Sequence, residues 1–220
     1  MTELLTLWAA WLPELWTGFV LSMQVTVASL GLGIVLGLVL ALGVSAPSRL
    51  LRYPALAIVE LGRGAPVLIL LQYLYFGLPS VNLTLTSFWA AALAMAYCTA
   101  AYTSEIIRGG LEAVARGQAE AAEAIGLGRL DALRFVILPQ ALRVALPPLL
   151  GFSIMMFQAS SLCFTIALPE IVSRASAIGS STFEYMPVLT LAGLMYAAVC
   201  APATLGVAAL EERLAPGGRG

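Results

Sequence analysis

Four stretches of this chain run without a single charged side chain: Leu15 to Ser48, Gly64 to Ser104, Val144 to Pro169 and Tyr185 to Leu210. A lipid bilayer accepts a helix of about 20 mostly apolar residues, because only a helix or a closed barrel pairs every backbone N–H and C=O without water. Runs of this length and apolarity point to a polytopic, all-α membrane protein. Composition agrees, since 60% of the 220 residues are hydrophobic and 10% are charged, too few to clothe an ordinary soluble domain. The run from Gly64 to Ser104 is too long for one helix and carries turn formers at Gly77-Leu78-Pro79-Ser80-Val81-Asn82, so it is divided in two. The expectation is one membrane domain over 1–220 with five transmembrane helices, at about 17–44, 55–77, 86–107, 141–165 and 187–210.

Orientation follows from the basic residues, all 11 of them arginine. Arg49 and Arg52 follow the first span, Arg108, Arg116, Arg129, Arg134 and Arg143 surround the loop after the third, and Arg213 and Arg219 close the chain. The other side holds Glu3, Glu14, Glu170 and Glu184, with Arg174 as its cation. Arginine and lysine are retained in the cytoplasm, so the N-terminus is expected outside and the C-terminus inside. The loop over about 109–139 is then cytoplasmic. Met1 to Gly18 lacks a basic n-region, so no cleaved targeting segment is expected. Trp8, Trp11 and Trp16 suit the headgroup region, which would lay this segment along the outer leaflet.

Cys98, Cys163 and Cys200 fall inside the spans with no metal-like spacing and are read as small packing residues. Histidine is absent, which removes the commonest metal ligand and general base, and no Walker-type phosphate loop occurs. No catalytic residue, metal site or cofactor is assigned to this chain. Its expected surroundings are membrane lipid and protein partners, not nucleic acid.

Within the cytoplasmic loop, strong helix formers begin at Arg116, and helical spacing places Ala121, Ala122 and Ile125 on one face and Glu120 and Glu123 elsewhere. Gly126 and Gly128 are expected to stop this helix in a left-handed turn. A second short helix from Arg129 would present Leu130, Leu133 and Ile137 until Pro139 breaks it. Helix, sharp turn, helix is the form of a docking surface.

The pattern Glu120-Ala121-Ala122, Gly126, Val136 and Leu138-Pro139 resembles the signature loop of the membrane subunits of ABC importers. Further segments resemble the branch that serves polar amino acids such as histidine, glutamine, glutamate and arginine: Glu60 to Pro66, Gln72 with Tyr75 to Pro79, Ala101 to Gly110, and Leu138 to Arg143. The wider resemblance covers most of the chain, from about Leu15 to Leu214. The resemblance implies a type I ABC importer permease-like fold in a bacterial cytoplasmic (inner) membrane. It also implies a coupling helix seated on cytoplasmic ATPase subunits that bind ATP and Mg, a second permease subunit, and an external amino acid-binding protein. Glu120, Ala121, Ala122, Gly126, Leu138 and Pro139 would form the coupling element.

Two departures stand out. Ala65 occupies the place where the branch has threonine in Arg-Gly-Thr-Pro. Gln158-Ala159-Ser160-Ser161-Leu162 stands where members often carry Lys-Asp-Thr-Ser-Leu, so a charged pair at mid-membrane depth is missing. A zwitterionic substrate would then meet neutral polar groups here, and a partner that supplies the charges favours a heterodimer over a homodimer. Gln158, Ser160, Ser161 and Gln72 are the candidates for lining the path, with helix-to-helix hydrogen bonding as the alternative reading. Glu60 and Arg63, three residues apart, form either a gate or a structural pair, and Glu105 with Arg108 reads as structural. Outside this family, an ion-driven secondary amino acid carrier is the main alternative; neither similar halves nor an unpaired mid-span carboxylate supports it.

Overall fold

The structure is a computed structural model that describes residues 2–214; Met1 and Arg219, both used above, lie outside that range. Nine α-helices follow one another among the described residues: α1 Thr2–Val44, α2 Arg49–Gly64, α3 Val67–Gln72, α4 Ser87–Glu112, α5 Arg116–Ala124, α6 Arg129–Asp131, α7 Leu138–Ala159, α8 Ile171–Thr182 and α9 Tyr185–Leu214. Short π and 3-10 segments extend three of them, at Tyr73–Gly77 and Leu78–Val81 after α3, Ala132–Ile137 between α6 and α7, and Ser160–Ile166 after α7.

At the centre stands α4, with α1 packed along it and α2, α3 and α7 around it. Its buried positions are mostly small: Ala90, Ala91, Ala92, Ala94, Ala96, Ala100 and Ala101. Small residues let helix backbones close up where lipid offers no hydrophobic gain for association. Glycines on the neighbours complete the fit. A Cβ at Gly33 of α1 would stand 2.4 Å from Thr99 Cβ, one at Gly37 2.8 Å from Thr103 Cβ, and one at Gly62 of α2 2.7 Å from Ala101 Cβ. Gly33→Leu is therefore expected to destabilise the protein by about 1–3 kcal/mol, the usual cost of overpacking. A lowered thermal transition in detergent checks this, and an unchanged one contradicts close packing of α1 on α4.

The helices fall roughly where the five spans are expected, but they differ from simple spans. Among the described residues, three helical stretches are long and apolar enough to cross a bilayer: Glu3–Val44, Arg129–Ile166 and Tyr185–Leu214. The segment expected as one span over 55–77 is two pieces, Arg49–Gly64 and Val67–Val81, bent by 104°. Pro66 has no N–H to continue the ladder and holds Ala65 extended at φ −83°, ψ 129°, so the helix ends at Gly64. The helix expected as the third span, α4, is not among these three, and small buried residues make up much of its surface.

Two other expectations are corrected. The tryptophan segment is not separate from the first span, since α1 is continuous over 43 residues, about 65 Å at 1.5 Å per residue. Trp8 and Trp11 pack with Leu15 against α8 and α9, and the Trp8 indole donates to the Pro187 carbonyl at 3.0 Å. Pro139 does not break the second loop helix, which runs on without interruption from Arg129 to Ile166. The proline sits in the first turn of α7, directly after a π segment that shifts the hydrogen-bond ladder, so its missing N–H falls where the register is already changing. The turn near Gly77–Asn82 closes at Asn82, which takes the left-handed conformation at φ 60°. Finally, α8 occupies what reads in sequence as a plain outer connection; the Glu170 side chain caps it by accepting from the backbone N–H groups of Val172 and Ser173. All three cysteines are buried and free.

Candidate coupling loop and translocation cavity

The loop is built as a capped helix with an exposed apolar rim. At the end of α5, Leu127 N–H bonds the Ala122 carbonyl at 3.0 Å and Gly126 N–H bonds the Glu123 carbonyl at 2.9 Å, with Gly126 at φ +83°. This is a Schellman end, for which glycine is preferred at the left-handed position. Gly128 plays a different part, standing before α6 at φ −66°. Helical spacing did not separate the two alanines: Ala122 is buried with Ala132, whereas Ala121 and Glu120 are exposed. Ile125 points outward with 78% exposure and Leu130 with 81%, beside exposed Leu133, Phe135 and Leu138, while Pro139 is exposed behind them. Gln140 fixes the loop onto the bundle, donating to the Val136 carbonyl at 2.8 Å and to Gln118 Oε1 at 3.2 Å. Exposed aliphatic and aromatic side chains gathered in one short loop are the kind of surface that often marks a protein interaction site.

Between loop and bundle, the two ion pairs read separately in the sequence join into one chain. Glu60 pairs with Arg63 at 3.4 Å, Arg63 with Glu105 at 3.8 Å, and Arg108 with both Glu105 and Glu112. All of these groups are partly exposed, so each pair contributes little to stability alone, but the chain ties α2 to α4. Two tyrosines of α4 reinforce the tie: Tyr97 donates to the Ile58 carbonyl at 2.9 Å and Tyr102 to the Arg63 carbonyl at 3.3 Å.

The bend after α2 opens a cavity of about 410 Å³. Arg63, Gly64, Ala65 and Pro66 form one wall, Tyr102 and Cys98 of α4 another, and Phe152, Met156, Gln158 and Ala159 of α7 the third. Tyr102 stacks on Phe152 with ring centroids 5.0 Å apart, which holds two walls together. Of the four path candidates, Gln158 lines this cavity. Gln72 is exposed elsewhere on α3, Ser161 is partly buried, and Ser160 is buried with its hydroxyl donating to the Phe157 carbonyl at 2.7 Å. Arg63 was read as one half of a gate or structural pair; here it also supplies a cation to the cavity that Gln158 lines. Tyr102 and Phe152 were missed, although a tyrosine amid small residues in a span is itself a signal of a polar contact.

A further polar cluster lies where α1, α8 and α9 meet: Glu170 accepts from Tyr196 of α9 at 3.1 Å and Arg174 of α8 pairs with Glu14 of α1 at 3.7 Å. In this segment between the last two spans, burial pushes the Glu170 carboxyl up to about 7, against the opposing pull of the Val172 and Ser173 N–H groups and the Tyr196 hydroxyl.

Comparison with known proteins agrees with this architecture. The family of binding-protein-dependent transport system inner membrane components matches residues 33–216. A probable amino-acid ABC transporter permease of Bacillus subtilis, YckA, is 36% identical over 92% of this chain and 90% of its own length. The arginine transport system permease ArtQ of the same organism is 32% identical, covering 92% and 93% respectively. A crystal structure of an amino acid ABC transporter with histidines superposes with a TM-score of 0.88 at 29% identity, over 93% of this chain and 96% of that one. The MetNI methionine ABC transporter, at 20% identity and a TM-score of 0.74, shares the fold. With a family model that spans most of the chain, and relatives matched along nearly their whole length, the protein belongs to the binding-protein-dependent transport system inner membrane components.

Proposed function

We propose that this chain is the membrane permease subunit of an ATP-driven importer of polar amino acids, one domain whose five helical groups cross a bacterial inner membrane with the N-terminus outside and the C-terminus in the cytoplasm. The observation that carries the reading is the loop: a Schellman-ended α5 and the exposed Ile125, Leu130 and Phe135 present a rigid apolar surface at the end of a continuous helix that reaches the cavity wall at Gln158. Motion of a body seated on α5 is thereby passed to α7. That body is a cytoplasmic ATPase, which binds ATP and Mg; this chain conducts substrate and does no chemistry. An external binding protein delivers the substrate. The names of YckA and ArtQ support amino acids as the substrate class.

In the cavity, Arg63 meets the substrate carboxylate and Gln158 adds amide hydrogen bonds. No acidic residue is among those lining the cavity, so no counter-charge there answers the substrate ammonium group. A partner permease that contributes the missing carboxylate makes a heterodimer the favoured assembly.

Reconstitution tests both parts. With its ATPase, its binding protein and the partner permease, the complex is expected to hydrolyse ATP faster when a polar amino acid is supplied. The same mixture without the partner permease is expected to transport poorly. ATPase activity indifferent to every amino acid in a panel contradicts the importer reading. Normal uptake by this subunit alone contradicts the heterodimer.

A further inference from the structure

Four elements converge on one buried polar cluster at the outer side, apart from both the cavity and the loop. Glu170 is fully buried, and its two carboxyl oxygens accept from Val172 N–H at 2.9 Å and Ser173 N–H at 2.8 Å. Those two bonds suffice to cap α8. Yet Tyr196 of α9 also donates to Glu170 Oε2 at 3.1 Å, and the same phenolic oxygen stands 3.4 Å from Ser160 Oγ on the turn that ends α7. Ser22 of α1, also buried, sets its hydroxyl beside the Tyr196 phenol without completing a hydrogen bond of normal geometry. The backbone there is tight: a Cβ on Gly18 of α1 would lie 2.8 Å from the Glu170 carbonyl carbon. A carboxyl, a phenol and two serine hydroxyls thus form a line from α8 to the turn that follows Gln158 and Ala159.

We propose that Glu170, acting through Tyr196, is a positioning residue for translocation, its protonation state deciding whether the Tyr196 hydroxyl is aimed at Glu170 or at Ser160. The proposal rests on the permease reading above. With Glu170 ionised, three donors meet the carboxylate and the phenol hydrogen is committed to Oε2. When the carboxyl takes up one proton, Oε2 becomes a donor, and the acceptor within reach is the Tyr196 oxygen. The phenol hydrogen then turns to Ser160 Oγ, whose own hydrogen is already held by the Phe157 carbonyl. One proton is gained, no covalent bond between heavy atoms changes, and the turn carrying Ser160 acquires a bond to α9 that the ionised state lacks.

Other groups around Glu170 leave this exchange free to occur. Arg174, one turn along α8, pairs through Nη1 with Glu14 of α1 at 3.7 Å, its buried Nε has no hydrogen-bond partner among the described residues, and it makes no ion pair with Glu170. From the turn after α7 come Ser160 and the buried Cys163 thiol, from α1 the uncharged Ser22, and from α9 Tyr196 itself. Burial and the three donors oppose one another at Glu170, which places the carboxyl near neutrality, where both arrangements are populated.

Infrared titration of the complete purified complex, together with uptake by the same complex in liposomes, tests the relay. In the wild type, the C=O band of a buried protonated carboxyl should vanish as pH rises through about 7, and E170Q should lack that band. Y196F keeps the α8 cap but removes one donor to the carboxylate, so the band should persist to higher pH. Uptake by the wild type should show an inflection at the same pH, absent in both variants. A carboxyl that titrates in the ordinary glutamate range, or a Y196F variant with the wild-type uptake inflection, overturns the relay. If the complex moves no amino acid at any pH, the permease reading falls, and the infrared band still decides whether Glu170 and Tyr196 share a titrating bond.

Discussion

Uptake driven by ATP is expected to disappear in Gly126→Val while the protein still inserts into the membrane. Gly126 holds φ +83°, where a β-branched residue is a steric outlier, and open space surrounds the position, since an added Cβ meets nothing within 4 Å. The cost is conformational and not one of crowding: about 1–2 kcal/mol for an L-residue in the left-handed region, and more for valine. Relief comes by abandoning the Schellman turn, which releases the Leu127-to-Ala122 and Gly126-to-Glu123 bonds and changes the angle at which α5 meets the helix that begins at Arg129. Ile125 and Leu130 then no longer present one surface. Gly126→Asn, which tolerates the left-handed region, should retain most uptake, and Gly126→Ala should fall between. Glu120→Lys, a charge reversal on the exposed side of α5, should also abolish coupled uptake. Initial uptake rates measured beside membrane-inserted protein levels check the series; wild-type rates in Gly126→Val and Glu120→Lys contradict the lever.

Arg63→Gln should reduce uptake by roughly tenfold to a hundredfold, the equivalent of one charge-assisted hydrogen bond at about 1.5–3 kcal/mol. The side chain lies where the cavity, the bend and the ion-pair chain meet. Its loss leaves the substrate carboxylate without a cation and deprives Glu60 of its partner, while Glu105 keeps Arg108. Arg63→Lys keeps the charge but not the planar fork, so partial recovery is expected. The decisive comparison is substrate-stimulated ATP hydrolysis: if Arg63→Gln is stimulated by the same amino acid concentrations as the wild type, Arg63 does not contact the substrate.

How much of this could be read in the sequence depends on which forces act locally. Charge-free runs dictate helices because lipid leaves the backbone no other partner, so the helical groups were legible one by one. Gly126 was legible because a left-handed turn restricts the residue that occupies it. Pro139 misled, since a proline reads as a helix end unless the π segment at Ala132–Ile137 is known, and that segment is settled by packing. At Gly64 to Pro66 the chemistry of a bend was visible but its size of 104° was not, because the angle is fixed by what α3 packs against. The periodicity of α5 grouped Ala121 with Ala122 without revealing that the helix rests on Ala132 and turns Ala121 away. Arg63 in the cavity and Tyr196 at Glu170 are meetings of residues far apart in the chain, which no spacing rule reports.

The alanine-rich character of α4 bears on how the protein is made. A helix of mostly small residues, with Thr99, Thr103 and Ser104 among its buried positions, is less apolar than α1 and gives the insertion machinery a weaker signal at the very helix that the finished bundle surrounds. Its retention is then a collective act. By the time Ser87 to Glu112 is synthesised, α1 and α2 already offer Gly33, Gly37 and Gly62 as a cradle, so chain order places the partners ahead of the helix that needs them. Assembly and insertion are one event at this helix, and damage to the cradle would be felt during biogenesis, before any substrate is moved.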